Sequence, residues 1–292
     1  METSRLLSKV RKIEIKTKGL SNQLFAGHYH SAFKGKGMAF SEVREYNYGD
    51  DVRSIDWNVT ARLNHPYIKI FDEERELTVI LLIDVSYSNQ FGTTVQFKEE
   101  LITEMAAVLS FSAIKNNDKV GVIFFSDTVE KFIPPKKGTT HILRIIRELI
   151  SFKPKNKGTN IGEALRFMTN AIKKRSTAFL ISDFIYNNGF LDALKIANKK
   201  HDVVALRVYD QRESKMPDLG FVRMMDAETG KIMWVDTSDN MVRKKHFDYF
   251  VNRELQLKDK LSKAGVDIVN IRTDMDYVKP LLNFFKKRGA RY

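Results

Sequence analysis

The stretch TVILLIDVSYSN, residues 78–89, decides the fold. Its first half is an uninterrupted run of apolar, β-favouring residues, which is typical of a strand buried on both faces of a parallel sheet. The run stops at Asp84, and two serines follow at alternate positions, Ser86 and Ser88. The stretch therefore predicts a buried strand whose carboxyl end carries one carboxylate and two hydroxyls.

Similar apolar runs recur along the chain and alternate with amphipathic segments at helical spacing. Two of these predicted helices are 95–114 and 161–174, and in the first the helical spacing assigns Phe97, Leu101, Met105, Val108 and Leu109 to the core. The further predicted strands are KVGVIFFS at 119–126, a short edge strand DTVEKFIPP at 127–135, TAFLISD at 177–183, VVALRVYD at 203–210 and GVDIVNIRT at 265–273. Prolines cannot donate to a strand ladder, which places the second of these at an edge. The alternation predicts an α/β fold, Rossmann-like, with an open, mostly parallel sheet and helices on both faces.

Two segments break this alternation and set the predicted domain organisation. Residues 1–77 mix charges of both signs with aromatic residues and form an N-terminal extension, which is predicted to begin with a basic helix. Residues 78–292 form the α/β domain. Within that domain, two alternating runs flank a Glu-Thr-Gly-Lys turn, which predicts an inserted β-hairpin at about residues 219–237.

Composition narrows the class of protein. The 292 residues are 43% hydrophobic and 29% charged, which is ordinary for a soluble globular protein. No apolar run approaches the roughly 20 residues of a membrane-spanning helix, and the charged N-terminus lacks the apolar core of a secretory signal. The sequence has no cysteine, which excludes disulfides and thiolate chemistry. A cytoplasmic location is therefore expected.

The net charge of +13 raises the question of an anionic partner. Nucleic acid, anionic lipid and an acidic protein surface would all be attracted. The basic residues are spread along the chain, and no aromatic-interleaved nucleic-acid motif is present. Solvated helix faces are the favoured explanation, and nucleic-acid binding is the alternative.

The residues after the first strand suggest a metal site. In open α/β sheets, ligands bind beyond the carboxyl ends of the strands, near the point where strand order reverses. Asp84 would project into that crevice, and alternate spacing places Ser86 and Ser88 on the same side of the chain. Thr159, before a predicted helix, and Asp183, at the end of the third buried strand, are further candidates. This all-oxygen set suits Mg²⁺ first, and Mn²⁺ or Ca²⁺ next.

A simpler interpretation stays open beside this one. Asp84 and the two serines could cap the following helix or satisfy loop amides, as such residues commonly do. The alignment of Thr159 and Asp183 with the same edge of the sheet favours the metal site.

The same residues resemble a known pattern. Asp84-x-Ser86-x-Ser88 with Thr159 and Asp183 resembles the metal-ion-dependent adhesion site of von Willebrand factor A-like (vWA-like) domains. The segment REYNYGDDVRSIDWNVTAR at 44–62, followed by FDEERELTVILLIDVS, resembles the bacterial DUF58 family. So does the late insertion YDQRESKMPDLGFVRMMDAETGKIMWVDT. The resemblance runs from about residue 27 to the end of the chain.

This resemblance implies a central six-stranded, largely parallel sheet with a metal at its top. It implies that the serines, the threonine and the aspartates hold Mg²⁺ directly or through water, and that an acidic residue of a partner protein completes the coordination. The implied partner is a MoxR-type AAA+ ATPase, in a chaperone-like or assembly role. Relatives often carry N-terminal membrane helices. For this chain we expect no membrane span, and a peripheral membrane contact is the alternative.

The segment around residues 44–62 has two interpretations. It could be a salt-bridged clasp that holds the extension to the α/β domain, or a surface for a partner. The clasp is slightly favoured, because interleaved opposite charges and aromatics tend to form partly buried networks. The candidate residues are Arg44, Glu45, Asp50, Asp51, Arg53, Asp56, Trp57, Arg62, Glu73 and Glu74.

Enzymatic function has little support. The sequence has no G-x-x-x-x-G-K-[ST] phosphate loop, no G-x-S-x-G elbow and no His-Glu-x-x-His motif. A metal-dependent hydrolase on this scaffold stays an alternative, although it would ordinarily use more carboxylates than Asp84 and Asp183. We therefore predict a non-catalytic, metal-dependent protein-interaction module.

Overall fold

The structure is a computed structural model. It describes residues 11–14, 38–73, 77–90, 96–185, 189–225 and 230–290. The helix predicted at the N-terminus lies almost wholly outside the described residues, of which 11–14 are helical.

Ten strands are described, and they alternate with helices from residue 78 onward. The strands are β1 Met38–Glu45, β2 Tyr67–Glu73, β3 Thr78–Asp84, β4 Lys119–Phe125, β5 Val129–Lys136, β6 Thr177–Ser182, β7 Asp202–Tyr209, β8 Phe221–Met225, β9 Ile232–Asp236 and β10 Asp267–Arg272. The α-helices are α1 Trp57–Leu63, α2 Lys98–Lys115, α3 Thr139–Ser151, α4 Ile161–Ala171, α5 Leu191–Lys200, α6 Gln211–Ser214, α7 Asn240–Lys263 and α8 Val278–Gly289.

Six of the strands form the central sheet, in the order β10-β7-β6-β3-β4-β5. Every neighbouring pair is parallel except β4 and β5, which are antiparallel. The predicted fold class is confirmed, and β5, with Pro134 and Pro135, lies at an edge as expected. The strand order reverses between β3 and β6, so the carboxyl ends of these two strands border the crevice of a doubly wound sheet.

Both faces of the sheet are buried, which explains the continuous apolar runs. Along β3, Val79, Leu81 and Ile83 pack on the face covered by α2 and α8, whereas Ile80 and Leu82 pack on the face covered by α4, α5 and α7. All five side chains are at most 1% exposed. Each contributes roughly 1.5–3 kcal/mol through burial, which fixes the register of the strand that ends at Asp84.

The helices agree with the sequence prediction, with differences at their ends. α2 begins at Lys98, and Phe97, assigned to the core from its helical spacing, is 52% exposed at the N-cap position. The helical spacing included Phe97 because periodicity does not locate the first turn. α4 ends at Ala171, ahead of the predicted Lys174, because Ile172 adopts an extended conformation.

The segment 38–73 contains two strands that the sequence analysis did not predict. β1 and β2 pair in an antiparallel ribbon, with an irregularity between Phe40 and Glu42. This irregularity interrupts the period-two alternation by which strands are recognised. The late hairpin is present as β8 and β9, and its Phe221 and Trp234 rings stack 5.8 Å apart on an exposed face.

Candidate metal centre

Asp84 and Asp183 lie at the point where the strand order reverses. Asp84 is the last residue of β3, and Asp183 directly follows β6, the parallel neighbour of β3. Asp84 is 1% exposed and Asp183 is 2% exposed. The two carboxylates therefore share a buried position at the carboxyl edge of the sheet, as the sequence predicted for a ligand site.

The Asp84 carboxylate is held by hydrogen bonds to neutral donors. Its Oδ2 accepts from the Ser182 hydroxyl at 2.6 Å, and its Oδ1 accepts from the Ser86 backbone N–H at 3.0 Å. Burial and the neighbouring negative charge of Asp183 raise the pKa of Asp84 to about 6, against the opposing effect of these hydrogen bonds. Among the described residues, no cation forms an ion pair with Asp84.

Asp183 has a cationic partner. Lys98, the first residue of α2, places its Nζ 2.8 Å from Asp183 Oδ2 and 2.8 Å from Glu213 Oε1. Although burial acts to raise the pKa of Asp183, the Lys98 ammonium and hydrogen bonds from Ile185 N–H and Ser88 hold it below its ordinary value. Asp183 is therefore the firmly ionised carboxylate of the pair.

Glu213 completes this ion-paired cluster from α6. Burial raises the pKa of Glu213 in spite of the Lys98 ammonium, and the nearby Asp183 charge acts in the same direction. The two carboxylates in turn keep the pKa of Lys98 above its ordinary value, although burial opposes this. The Lys98 side chain itself is 0% exposed.

The two predicted serine ligands lie beside the carboxylates. Ser86 and Ser88 are buried, and their hydroxyl oxygens are 3.0 Å apart. The Ser88 hydroxyl bonds to Asp183, whereas the amide of Asn89 donates to the Asp84 backbone carbonyl at 3.0 Å. The structure thus brings Asp84, Ser86, Ser88 and Asp183 together.

The Thr159 loop reaches the same edge. Tyr87 N–H donates to the Lys157 carbonyl at 3.2 Å, and the Lys157 ammonium lies 5.5 Å from the centre of the Tyr87 ring. Gly158 N–H donates to Asp127 at 3.1 Å, and Asn160 caps α4. Thr159 is half-buried in this loop, beside the segment that carries the two serines.

The capping interpretation accounts for part of this geometry. The bond from Ser86 N–H to Asp84 is a local turn of the kind that Asp commonly forms. It does not account for the second Asp84 oxygen, which accepts a hydrogen bond from the hydroxyl of Ser182, 98 residues away on β6. Nor does local capping require two buried carboxylates on neighbouring strands.

The residues fit a small divalent cation. Among the described residues, no three His, Cys, Asp or Glu side chains form a group that could hold a metal ion, so a site here would combine two carboxylates with hydroxyls. The Lys98 ammonium pairs with Asp183 and Glu213 and leaves Asp84 without an ion pair among the described residues. The metal roles of Asp84, Ser86, Ser88, Thr159 and Asp183 stay a prediction.

Three residues of the site were missed in the sequence. Lys98 is the first residue of α2, directly before Glu99 and Glu100, and so looks like an exposed N-terminal lysine. Ser182 precedes Asp183 within the predicted strand, and Glu213 follows the strand that ends at Asp210. The sequence contained one signal for a polar site at this edge of the sheet. Three buried strands end in or just before an aspartate, namely Asp84, Asp183 and Asp210. Asp210, however, caps α6 and accepts from Thr273.

The ion pairs of the segment 44–62 lie within the range 38–73. Arg44 forms two 2.8 Å hydrogen bonds with Asp50, and Lys69 lies 3.4 Å from Asp56, which caps α1. Among the described residues, no hydrogen bond or ion pair joins the range 38–73 to the central sheet. Trp57 is 67% exposed.

The other candidates of this segment are mostly at the surface. Glu45, Asp51, Arg53 and Arg62 are exposed, the Glu73 side chain is not described, and Glu74 lies outside the described residues. Whether the segment acts as a clasp or as a partner surface stays a prediction. The exposed Trp57 and the ion pairs within the range 38–73 favour the partner surface over the clasp.

Comparison with known proteins identifies the family. The model of "Protein of unknown function DUF58" matches residues 42–254, which is most of the chain. The chain belongs to the DUF58 family. Among relatives of this DUF58 protein, the uncharacterized protein Rv1480 of Mycobacterium tuberculosis is 26% identical over 294 residues, covering 99% of this chain and 92% of that protein.

One solved structure shares the fold of this DUF58 protein, and a second is similar at a lower score. An aerotolerance-related membrane protein from Bacteroides fragilis is 18% identical, with a TM-score of 0.50, and the match covers 74% of this chain and 100% of that one. The SpRpn10 VWA domain is 11% identical, with a TM-score of 0.38, over 71% of this chain and 94% of that one. The α/β fold with a six-stranded, mostly parallel sheet expected from the sequence is confirmed. None of the described helices is long and apolar enough to cross a membrane.

Proposed function

We propose that this DUF58 protein is a non-catalytic interaction module that binds Mg²⁺ at the carboxyl edge of β3 and β6. The ligands are Asp84, Ser86, Ser88, Thr159 and Asp183, directly or through water. The observation that carries the proposal is the buried Asp84 carboxylate, which has neutral donors and no cation among the described residues. A buried carboxylate without a counterion is costly, and a divalent cation would relieve that cost.

The proposed ion explains how the module would recognise its partner. Two protein carboxylates and neutral hydroxyls leave a divalent cation with residual attraction for another oxygen anion. An aspartate or glutamate from a partner protein can supply it. The partner class that the family resemblance implies is a MoxR-type AAA+ ATPase, in an assembly or chaperone-like role in the cytoplasm. Mn²⁺ and Ca²⁺ are the other cations that oxygen ligands of this kind accept.

Calorimetric titration of Mg²⁺ into chelator-stripped protein tests the metal step. We expect saturable binding to the wild type and its loss in Asp84→Asn. The matched control is Asp192→Asn, the same chemical change at a carboxylate that is 92% exposed on α5, and it should bind as the wild type does. A wild type that is folded by circular dichroism and binds no Mg²⁺ or Mn²⁺ would refute the proposal.

The docking step is tested with a purified MoxR-type ATPase. Binding measured by interferometry should require Mg²⁺, disappear with chelator and be absent in Asp84→Asn. Nucleic-acid binding, the alternative suggested by the net charge, predicts the opposite result with a duplex oligonucleotide: steep loss of affinity with salt and no effect of Asp84→Asn.

A further inference from the structure

The Lys98 ammonium is built into the wall of the proposed metal site. It belongs to the largest fully buried side chains of the described protein, and it bridges Asp183 and Glu213 at 2.8 Å each. Burying an ammonium is costly unless it is paired, and an apolar residue could fill the same space at the start of α2. A buried lysine between two carboxylates therefore points to a task beyond packing.

Its first effect is on the oxygens of Asp183. Lys98 Nζ donates to Asp183 Oδ2, and Ile185 N–H donates to Asp183 Oδ1 at 3.0 Å. The Ser88 hydroxyl bonds to the same carboxylate. A carboxylate has about four lone-pair positions, so three of those of Asp183 are used and one stays free. Coordination of one ion by both oxygens would therefore break one of these three contacts.

Asp84 is restrained in the same way by neutral donors. Ser182 holds its Oδ2, the Ser86 backbone N–H holds its Oδ1, and the Ser86 hydroxyl also bonds to this carboxylate. Both carboxylates can therefore offer one oxygen each to an ion without losing a hydrogen bond. Bidentate coordination by either of them conflicts with the contacts in the structure.

This restriction separates the hard cations. Ca²⁺ takes six to eight oxygen ligands and often binds carboxylates through both oxygens, whereas Mg²⁺ requires octahedral coordination and keeps several waters. We propose that Lys98 is a positioning residue that determines cation selectivity: by holding Asp183 Oδ2, it confines Asp183 to one free oxygen and makes the site prefer Mg²⁺ and Mn²⁺ over Ca²⁺. The inference rests on the proposed metal site.

Glu213 keeps Lys98 in place from the opposite side. α6 begins at Gln211, after β7, and is capped by Asp210, which itself accepts from Thr273. Glu213 is thereby fixed where it can anchor the ammonium. Its role is indirect, because Lys98 still pairs with Asp183 when Glu213 is neutral.

The test is the ratio of the Ca²⁺ and Mg²⁺ dissociation constants, measured by calorimetry for each metal alone. The wild type should bind Mg²⁺ at least about tenfold more tightly than Ca²⁺. In Lys98→Met combined with Glu213→Gln, this preference should fall several-fold. The double variant removes one positive and one negative charge, which act alike on every divalent cation, so the ratio, not the affinity, reports on the restraint of Asp183.

Two variants make the result specific. Glu213→Gln alone removes one anchor of Lys98 but leaves its contact with Asp183, so its ratio should lie between those of the wild type and the double variant. Lys98→Gln replaces the ammonium by a neutral donor; it should retain part of the preference, and it also serves if the Met variant fails to fold. Circular dichroism establishes folding in each case.

The outcomes separate the two proposals. A wild type that binds neither metal overturns the proposed function, and this inference with it. A wild type that prefers Mg²⁺, beside a folded Lys98 variant with an unchanged ratio, overturns the role of Lys98 and leaves the metal site standing. A wild type that prefers Ca²⁺ also overturns the role of Lys98.

Discussion

The Ser182 hydroxyl donates a 2.6 Å hydrogen bond to Asp84 Oδ2, although 98 residues separate the two in the chain. The same Ser182 oxygen accepts the Phe184 backbone N–H at 3.0 Å. This serine therefore ties the ends of β3 and β6 together at the point where strand order reverses. It orients one proposed metal ligand while it supports the chain that carries the other, Asp183.

Ser182→Ala should weaken both the site and the fold. The substitution removes a donor from a buried carboxylate and leaves the Phe184 N–H without its acceptor, at a cost of about 1–3 kcal/mol in the free energy of unfolding. Mg²⁺ affinity should fall, because the Asp84 carboxylate loses its orientation. Urea denaturation and calorimetry measure the two effects. Ser151→Ala, at an exposed serine on α3, is the control and should change neither.

Asp84→Asn should stabilise the metal-free protein at neutral pH. Because the pKa of Asp84 is about 6 in the folded state, above its ordinary value, the folded state binds more protons between pH 4 and 6. The wild type therefore loses stability as pH rises through that range, by roughly 1–3 kcal/mol. The variant lacks this loss. Urea denaturation should therefore show that the variant is more stable than the wild type at pH 7.5 and about equally stable at pH 4.

Saturating Mg²⁺ should reverse that order. Binding of the ion to the folded wild type raises its free energy of unfolding, and by more as the ion concentration exceeds the dissociation constant, whereas the variant has lost a ligand. A wild type that is more stable than Asp84→Asn at pH 7.5 in the presence of chelator would contradict the prediction.

His201 predicts a second pH dependence, away from the site. Its ring is fully buried, with Nδ1 2.9 Å from the Ser176 hydroxyl, and Nε2 has no hydrogen-bond partner among the described residues. Burial, with the positive charges of Lys200 and Arg175, lowers the pKa of His201 to about 4. The unfolded chain binds a proton below about pH 6.5, so stability should decline as pH falls from 6.5 towards 4.

His201→Gln separates this contribution from other acid effects. Glutamine does not titrate and can keep a bond to Ser176, so the variant should lose less stability than the wild type between pH 7 and pH 5. Thermal unfolding followed by circular dichroism at both values provides the comparison. Equal losses in the two proteins would show that His201 is not responsible.

Gly158→Ala should disturb the Thr159 loop. A Cβ built on Gly158 would lie 2.2 Å from Asp127 Oδ1, and the Gly158 N–H donates to the same carboxylate. The Asp127 side chain must therefore move, and that hydrogen bond is lost or distorted. We expect a fall in the free energy of unfolding of about 1–2 kcal/mol and weaker Mg²⁺ binding. Gly189→Ala, where the Cβ meets open space but φ is +69°, isolates backbone strain from the clash.

Much of the fold could be predicted from local pattern. The apolar runs of β3, β4, β6 and β7 are long enough to identify strands buried on both faces, and the prolines of β5 identify an edge. The ribbon of β1 and β2 was missed because its alternation is interrupted. Phe97 was misplaced because helical spacing cannot show where the first turn begins.

The sequence by itself determined which residues stand at the ends of the buried strands, and so placed Asp84, Ser86, Ser88 and Asp183 at one edge of a parallel sheet. Strand direction follows from the alternation of strands and helices, and the carboxyl ends of parallel strands lie together. Only the tertiary structure decided that Lys98 and Glu213 join them. Charge on a helix is ordinarily solvated, and nothing local distinguishes a buried lysine from an exposed one. Its burial depends on how α2 and α6 pack over the sheet, since the partners of Lys98 are 85 or more residues away.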